Sequence, residues 1–531
     1  MADVPLILSF DLGTSSVKAA LFDVSGQRLG SAVEPLALHL PQPGWAQQHP
    51  EDWWQALGKA SRRTVAEAGV SPERIGVVGL SAQTCAMIPL DQTGEVLHPA
   101  MIWLDARSQG EAKRITAGGP RIKGYGLVPL LRWLWLTNGA PNLGGKDTPS
   151  KMVWFRENHP DLWQRTYKML DAKDELLRRC TGLYRTTPDC AHLTWMMDSR
   201  TDRWSPSLMA HLGMEEEKLP KVIPSTSVAG GLTADAAHTL GVPVGIPVAG
   251  GLSDLSAAAL GSGAYGLGET HLYLGTSGWF GAHHPRRWLD PRSGVATLRG
   301  AGEQDEPSRY LLLAVQEMTA GALSWAAKTL FDTEEMGDKG EPLEALLTAA
   351  ARSPAGANGV LFLPWLAGER CPVDDAQRRG GFIHLGLEHN RDDMARAVLE
   401  GVGFNLRWAL QAFQRSSGVS TGAIHVLGGG ARSELWMQIL AAILERPLLR
   451  VQAPEWGGTC GAAICAAVAA GNYANLEQAT QAMVIIEKRF NPDLEQSALY
   501  RQRFQALLPL YFKSSETVSN GSDFRPAIQD R

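Results

Sequence analysis

The first eighty residues alternate short apolar runs with small polar turns. Apolar runs at 6–10, 17–24 and 28–34 are separated by turns rich in Gly and Ser, which predicts three short strands. Residues 51–68 have helical spacing with acids near the start, and 75–82 is typical of a buried strand. A doubly wound nucleotide-binding unit would instead begin strand, helix, strand.

The second half of the chain repeats these features. Residues 270–282 predict a strand, a Gly-Thr-Ser-Gly turn and a strand, and residues 423–444 predict a strand, a glycine turn and a helix. Residues 457–471 predict a helix of small residues. The recurrence predicts two related domains that face each other, with a boundary near residue 262.

Two segments depart from this repeat. Residues 118–150 are rich in Gly and Pro and are interpreted as an insertion or lid. The polar residues 513–531 are expected to form a mobile tail. The predicted domains are therefore 1–262, which contains the insertion, and 263–512.

The net charge and the composition reduce the number of functional classes that fit the chain. The net charge is −5, from 50 Lys and Arg against 55 Asp and Glu, so we expect no nucleic-acid partner. No apolar run is long enough to span a bilayer, so we also expect no membrane segment. The six cysteines form no CxxC pair and no zinc-finger spacing, which favours the reducing cytoplasm.

The turn after the first strand combines a carboxylate, hydroxyls and a cation. The backbone N–H groups of a tight turn at Gly13, Thr14 and Ser15 favour phosphate oxygens, and Lys18 adds positive charge. Asp11 would repel phosphate unless a divalent cation lay between them, a role that suits Mg²⁺. The alternative is an ordinary polar hairpin.

Two further glycine turns favour the phosphate interpretation. Residues 275–278 form a second hydroxyl-bearing turn, so a triphosphate could be held from opposite sides. Residues 428–431 follow a predicted strand and open a helix, where backbone approaches a ligand closely. No GxxxxGK[ST] loop occurs in the chain.

Asp254 is the leading candidate for an acid–base residue. It follows a glycine pair and begins a helix of small residues. Either Asp254 or Ser253 could cap that helix. Between two phosphate-binding domains, Asp254 could instead accept a proton from a substrate hydroxyl, as phosphoryl transfer requires.

Together these motifs resemble the FGGY carbohydrate kinases, and most closely their xylulokinase branch. The resemblance covers roughly residues 6 to 510. It is carried by matching stretches along the chain: "DLGTSSVK" at 11–18, "AGGLSDLSAAALGSG" at 249–263, "YLGTSG" at 273–278, "FLPWLAGER" at 362–370, "DMARAVLEGVGF" at 393–404 and "VLGGGARSELW" at 426–436.

The resemblance implies an α/β fold in which two ribonuclease-H-like domains of the actin/hexokinase type surround a central cleft. It implies a cytoplasmic, ATP- and Mg²⁺-dependent kinase for a small sugar or polyol, and it allows a homodimer. By position it also assigns roles: Asp11 to Mg²⁺; Gly13, Thr14, Ser15 and Lys18 to the transferring phosphate; Asp254 to the general base; Gly275 and Thr276 to the ATP phosphates; Gly429, Gly430 and Ser433 to the nucleoside; and Gln83, Thr84, Cys85, Trp103, Asp105, Arg107 and Asp254 to the sugar.

The chain departs from the xylulokinase pattern near the sugar. Gln-Thr-Cys-Ala at 83–86 stands where Gln-Met-His-Gly is common, and His384 replaces a signature glycine. Ribulose, fuculose, gluconate and erythritol therefore remain alternative acceptors to xylulose. Outside the kinase class, the alternatives are an actin-like or chaperone-like ATPase and a catalytically silent, sugar-responsive regulator.

Overall fold

The computed structural model of the chain describes residues 5–290, 293–303, 309–331 and 341–517. The strands up to residue 262 are β1 (Leu6–Leu12), β2 (Ser16–Phe22), β3 (Arg28–Pro35), β4 (Gln47–Gln48), β5 (Ile75–Ala82), β6 (Ile88–Leu90), β7 (Ala100–Met101), β8 (Arg121–Ile122), β9 (Tyr125–Gly126), β10 (Lys168–Leu170), β11 (Arg185–Thr186), β12 (Met197–Asp198), β13 (Arg203–Trp204), β14 (Lys221–Val222), β15 (Val228–Gly231), β16 (Pro247–Ala249) and β17 (Leu252–Ser253). The helices of this part are α1 (Pro50–Ala68), α2 (Gln109–Ile115), α3 (Leu127–Thr137), α4 (Thr148–Asn158), α5 (Pro160–Arg165), α6 (Ala172–Thr181), α7 (Pro188–Leu193), α8 (Pro206–Leu212), α9 (Ala234–Leu240) and α10 (Asp254–Gly261).

The remaining strands are β18 (Thr270–Leu274), β19 (Gly278–His284), β20 (Ala296–Arg299), β21 (Tyr310–Gln316), β22 (Leu361–Leu363), β23 (Gly381–Ile383), β24 (Ile424–Leu427), β25 (Leu448–Val451) and β26 (Ile486–Phe490). The remaining helices are α11 (Ala320–Phe331), α12 (Pro342–Arg352), α13 (Arg391–Ser417), α14 (Glu434–Leu444), α15 (Gly457–Ala469), α16 (Leu476–Met483) and α17 (Leu494–Thr517).

The first large sheet is built around β1. Its order is β15-β16-β5-β1-β2-β3, with β17 also pairing with β5. Strand β1 is buried on both faces, because alternate side chains enter different cores. Leu8 and Phe10 pack in the core that contains Trp53 of α1, whereas Ile7 packs in the core that contains Ile464 of α15. The strands and helix predicted within the first 82 residues are thus present.

The second large sheet repeats the topology of the first. Its order is β20-β21-β19-β18-β24-β25-β26. Strand β18 pairs antiparallel with β19 and parallel with β24, as β1 does with β2 and β5. In the first sheet β16 pairs parallel with β5, and β15 pairs antiparallel with β16. In the second sheet β25 pairs parallel with β24, and β26 pairs antiparallel with β25. The predicted two-domain α/β fold of the actin/hexokinase type is confirmed.

Helices α10 and α15 join the two halves by direct packing. A Cβ atom on Gly461 of α15 would lie 2.0 Å from the carbonyl oxygen of Ala257 in α10. One on Gly79 of β5 would lie 2.3 Å from the carbonyl oxygen of Ala462. The helix predicted at 457–471 consists of small residues because its backbone lies against the other half of the molecule.

The two segments that depart from the repeat have regular structure where they are described. Residues 118–150 form the β8–β9 hairpin, α3 and the start of α4, and the Asn138 amide donates to the carbonyl oxygen of Trp288 in the second half. Helix α17 runs through Thr517, into the segment predicted as a tail, and 518–531 lie outside the described residues. Within the described ranges no helix is long and apolar enough to cross a membrane.

Candidate active site

Asp11 lies at the end of β1, where the first turn begins. The Ser81 hydroxyl on the neighbouring strand donates to Asp11 Oδ1 at 3.1 Å. Burial raises the pKa of Asp11, and the Lys18 charge and the Ser81 hydrogen bond oppose that rise. The Lys18 ammonium itself donates to the carbonyl oxygen of Glu455, at 2.6 Å. Lys18 therefore joins the turn to the segment that precedes α15, and its role toward phosphate stays a prediction.

The first turn is held by a hydrogen-bonded chain of side chains. The Gly13 amide donates to the carbonyl oxygen of Ser16, which closes the turn. Thr14 Oγ1 accepts from the Trp103 indole at 2.9 Å and donates to Gln83 Oε1 at 3.0 Å. Gln83 in turn donates to Gln48 Oε1 at 2.9 Å. The structure thus brings three predicted site residues together, but the Thr14 proton is already directed to Gln83.

Asp105 and Arg107 are also brought together, as an internal ion pair. Arg107 donates to both carboxylate oxygens of Asp105, and the pair is almost fully buried. Asp105 Oδ2 also accepts from the Ala46 amide at 2.7 Å. The guanidinium lies 3.7 Å from the centre of the Trp45 ring. The two charges neutralise each other, and this fixed ion pair lies beside the loop that contains Trp103.

Cys85 is fixed in a left-handed backbone conformation, with φ = 61°. Asp171 accepts hydrogen bonds from the Cys85 and Ala86 amides at 3.0 and 2.9 Å. The buried Lys151 ammonium donates to the Cys85 carbonyl oxygen at 2.7 Å. Burial, with Asp147 and Asp171 nearby, raises the pKa of the thiol, so it stays protonated. Thr84 lies beside it and is half-buried.

Asp254 is the first residue of α10 and is not its cap. Ser253 caps the helix, because its hydroxyl accepts from the Ser256 amide at 3.2 Å. Asp254 Oδ1 accepts from the Leu255 amide at 2.9 Å. Burial and then the Asp11 charge raise the pKa of Asp254 to about 7. Asp11 and Asp254, which are 243 positions apart in the sequence, therefore lie in one electrostatic site.

The loop before Asp254 is clamped by buried charged groups from α6 and α7. Asp189 Oδ2 accepts from the Ser253 amide at 2.7 Å. Lys173 donates to the carbonyl oxygen of Gly250 at 3.1 Å and pairs with Asp174 at 2.7 Å. Sequence reasoning missed these groups. No helix was predicted in this region from the sequence, and an acid near the start of a helix is also the pattern of an ordinary cap.

The second turn and the third glycine stretch meet at the end of β18. The Gly275 amide donates to the carbonyl oxygen of Ser277, and Thr319 Oγ1 donates to the Gly275 carbonyl oxygen at 2.7 Å. Two amides before and within α11 donate to the carbonyl oxygen of Thr276, at 2.9 and 3.1 Å. A Cβ atom on Gly428, where φ is 97°, would lie 2.6 Å from the Leu274 carbonyl oxygen. The two stretches are therefore neighbours.

The third stretch leaves backbone facing open space. A Cβ atom on Gly429 would meet nothing within 4 Å, whereas one on Gly430 would lie 2.6 Å from the Trp436 ring. The Ser433 hydroxyl caps α14 by accepting from the Trp436 amide at 3.2 Å. An open strip of backbone beside the phosphate turn suits the close approach of a nucleotide.

Helix α15 completes the site from the second half of the chain. A Cβ atom on Gly458 would lie 2.2 Å from Asp11 Oδ2. The structure therefore gathers Asp11, the first turn, Asp254 and the second turn around helices α10 and α15. Within the described ranges it shows no group of three or more His, Cys, Asp or Glu side chains arranged to hold a metal ion.

Comparisons with known proteins show the family to which the chain belongs. Residues 6–261 match the N-terminal domain of the FGGY family of carbohydrate kinases, and residues 271–470 match its C-terminal domain. A xylulose kinase of Escherichia coli (strain K12) is 30% identical over 95% of this chain and 100% of its own length. One from Bacillus subtilis (strain 168) is 28% identical over 98% of this chain and 99% of its own.

A solved structure described as a xyloylose kinase from Brucella ovis superimposes with a TM-score of 0.81. It is 30% identical and covers 96% of this chain and 99% of its own. Both halves of the molecule and both predicted turns fall within the matched regions. The chain belongs to the FGGY family of carbohydrate kinases and is an ATP-dependent sugar kinase.

Proposed function

We propose that this kinase transfers the γ-phosphoryl group of ATP to a hydroxyl of a ketose or polyol, with xylulose as the first acceptor to test. The observation that carries the proposal is the pair of carboxylates, Asp11 and Asp254, between two glycine turns. Xylulose comes first because the relatives from E. coli and B. subtilis are xylulose kinases. Ribulose, fuculose, gluconate and erythritol follow as alternatives.

Asp254 acts in this proposal as the general base. A pKa of about 7 leaves a large deprotonated fraction at neutral pH, and that carboxylate is more basic than an exposed one. The Leu255 amide holds Oδ1, so Oδ2 is left to accept the proton of the acceptor hydroxyl. The clamp of Asp189 and Lys173 on the preceding loop restricts where that oxygen points.

Asp11 suits the role of a magnesium ligand. Its carboxylate is partly exposed, has a raised pKa, and adds to the negative charge around Asp254. Lys18, the adjacent cation, donates elsewhere. One carboxylate with phosphate oxygens and water is a common way to hold Mg²⁺. When bound, the ion would neutralise charge on the transferring phosphoryl group.

The glycine segments would bind the nucleotide from both domains. We assign Gly13, Thr14 and Ser15 to the transferring phosphate and Gly275 and Thr276 to the ATP phosphates. The amides of Gly13 and Gly275 close their own turns, so the amides that follow them in each turn would be the donors. Gly429, Gly430 and Ser433 would border the nucleoside along the open backbone strip. The acceptor would lie toward Trp103, Cys85 and the Asp105–Arg107 pair, which would form the sugar-binding side of the cleft.

The cellular setting follows from the thiols. All six cysteines are free, and four are buried. Unpaired thiols in a chain of this size favour a reducing compartment, so we propose that the kinase works in the cytoplasm. A homodimer is the assembly to test first, by light scattering.

An ADP-release assay with Mg²⁺ and ATP across ketoses, polyols and aldonates tests the acceptor. A selective rise with one compound supports the proposal, and uniform background would favour the silent regulator. Asp254→Asn should retain ADP binding and lose at least about 100-fold in transfer rate. Asp393→Asn is the control, because Asp393 is a buried carboxylate in the capping box of α13, where it accepts from the Asn390 amide and has no part in the proposed reaction. Near-normal turnover by Asp254→Asn would refute the assignment.

A further inference from the structure

Tyr273 lies across the second turn. It is the penultimate residue of β18, two positions before Gly275. A Cβ atom on Gly275 would lie 2.4 Å from Tyr273 Cε1 and 3.1 Å from its hydroxyl oxygen. The phenol ring therefore folds back over Gly275, and glycine is needed there because the ring occupies the space of a side chain.

The ring of Tyr273 is held in place by its cross-strand partner. Tyr273 pairs with Trp279 in the β18–β19 ladder, and the two rings stack with centres 4.1 Å apart and an interplanar angle of 13°. Trp279 is only 8% exposed and belongs to a buried cluster. The strand pairing and the stacked Trp279 ring therefore hold the phenol in a fixed position.

The hydroxyl of Tyr273 lies over the second turn, and the side chain packs against the buried cluster that contains Ala258 of α10, the helix that begins at Asp254. Across the described ranges, no protein group forms a hydrogen bond with it, and the side chain is partly exposed. Burial first, and then the charges of Asp11 and Asp254, raise the pKa of Tyr273. A phenol is protonated at neutral pH in any case, so the group is a neutral donor.

We propose that the Tyr273 hydroxyl donates a hydrogen bond to an oxygen of the phosphoryl group while it is transferred. The inference rests on the proposed function, because the phosphoryl group is what would lie between Asp11, Asp254 and the second turn. A neutral donor suits this place, since it adds no charge that would compete with a metal ion. The phenol keeps its proton throughout, so it is neither acid nor base in the reaction.

The test uses Tyr273→Phe, which keeps the stack on Trp279 and the cover over Gly275. We expect kcat to fall about 10- to 100-fold, because donors to developing charge contribute that much or more. The KM values for acceptor and ATP should stay within about twofold, since the contact strengthens only in the transition state. Tyr167→Phe is the control, because Tyr167 is an exposed tyrosine whose ring contacts Tyr184 and has no part in the proposed site.

A second measurement separates this inference from the proposed function. Binding of Mg²⁺–ADP with aluminium fluoride, a mimic of the transferring phosphoryl group, should weaken about 10-fold or more in Tyr273→Phe, while ADP alone binds as before. Unchanged kcat and unchanged affinity for the mimic would overturn the inference. A raised acceptor KM with unaltered kcat would also overturn it and move Tyr273 to the sugar. A wild-type enzyme inactive on every acceptor would instead refute the proposed function.

Discussion

Gly458 offers the sharpest test of the site, because its substitution disturbs one carboxylate and little else. It is the second residue of α15, and a Cβ atom there would lie 2.2 Å from Asp11 Oδ2 and 2.7 Å from its Cγ. Real Cβ atoms essentially never lie within 3.0 Å of such an atom. In Gly458→Ala the Asp11 carboxylate must therefore move by about 1 Å, a displacement that matters at a reacting centre.

The expected loss is catalytic rather than structural. The carboxylate is the free end of a side chain and can rotate away, and alanine favours a helix over glycine by about 0.5–1 kcal/mol. The melting temperature should therefore stay the same or rise slightly. A misplacement of about 1 Å costs about 100-fold in rate, and Mg²⁺ tolerates little distortion of its ligands. We expect kcat/KM to fall about 100-fold and the Mg²⁺ requirement to rise.

The assay is ADP release at several Mg²⁺ concentrations, with thermal unfolding in parallel. Gly461→Ala, one turn further along α15, is the matched control, because its Cβ atom would meet the Ala257 carbonyl oxygen at 2.0 Å. Backbone cannot swing aside, so this variant should lose about 1–3 kcal/mol of stability. Normal turnover and Mg²⁺ dependence in Gly458→Ala would show that Asp11 does not touch the reacting groups.

Three further predictions follow from the same structure. Gly429→Ala should raise the KM for ATP several-fold with no change in stability, since its Cβ atom would meet no protein atom. Gly422→Ala is the control, because its Cβ atom is equally unobstructed but lies before β24, and it should change neither the KM nor the stability. Equal KM values in the two variants would contradict the nucleotide assignment. His384→Gly should stabilise the protein by up to about 1 kcal/mol in urea unfolding, because His384 is exposed at φ = 61°; a loss of stability would be the contrary result. Burial lowers the pKa of His271 to about 3. Below pH 6.5 the unfolded state therefore binds a proton at this residue that the folded state does not bind. The protein loses stability for this reason as the pH falls from 6.5 toward 3. His271→Leu should remove about 2 kcal/mol of the loss between pH 7.5 and 5, and an unchanged pH dependence would refute this.

The repeated strand–turn–strand units could be read from sequence because their causes are local. Apolar alternation places β1, β2, β18 and β19, and the small residues between them close each turn through hydrogen bonds two or three residues apart. The same pattern in both halves was enough to predict duplicated domains. His384 shows where reading residue types misleads, since a non-glycine residue there adopts the conformation that favours glycine.

The site residues could be predicted by type and position, but their partners could not. Thr14 bonds to Gln83 and to Trp103, which lie 69 and 89 positions away, and Lys18 reaches a carbonyl oxygen 437 positions away. No local pattern distinguishes a hydroxyl that is free for phosphate from one already bonded. For the same reason, the clamp of Asp189 on the Asp254 loop and the place of Tyr273 carried no readable signal.

The amino-acid sequence by itself therefore determined the duplicated α/β units, the turns and the presence of a carboxylate at each place where chemistry would need one. Only the tertiary structure decided which carboxylates share an electrostatic site, which hydroxyls remain available, and that glycine in α15 lies against Asp11. The physical reason is how far apart along the chain the interacting residues lie. Turns and strands depend on neighbours within a few residues, whereas a pKa or a hydrogen bond depends on every group that packing brings near, whatever its distance along the chain.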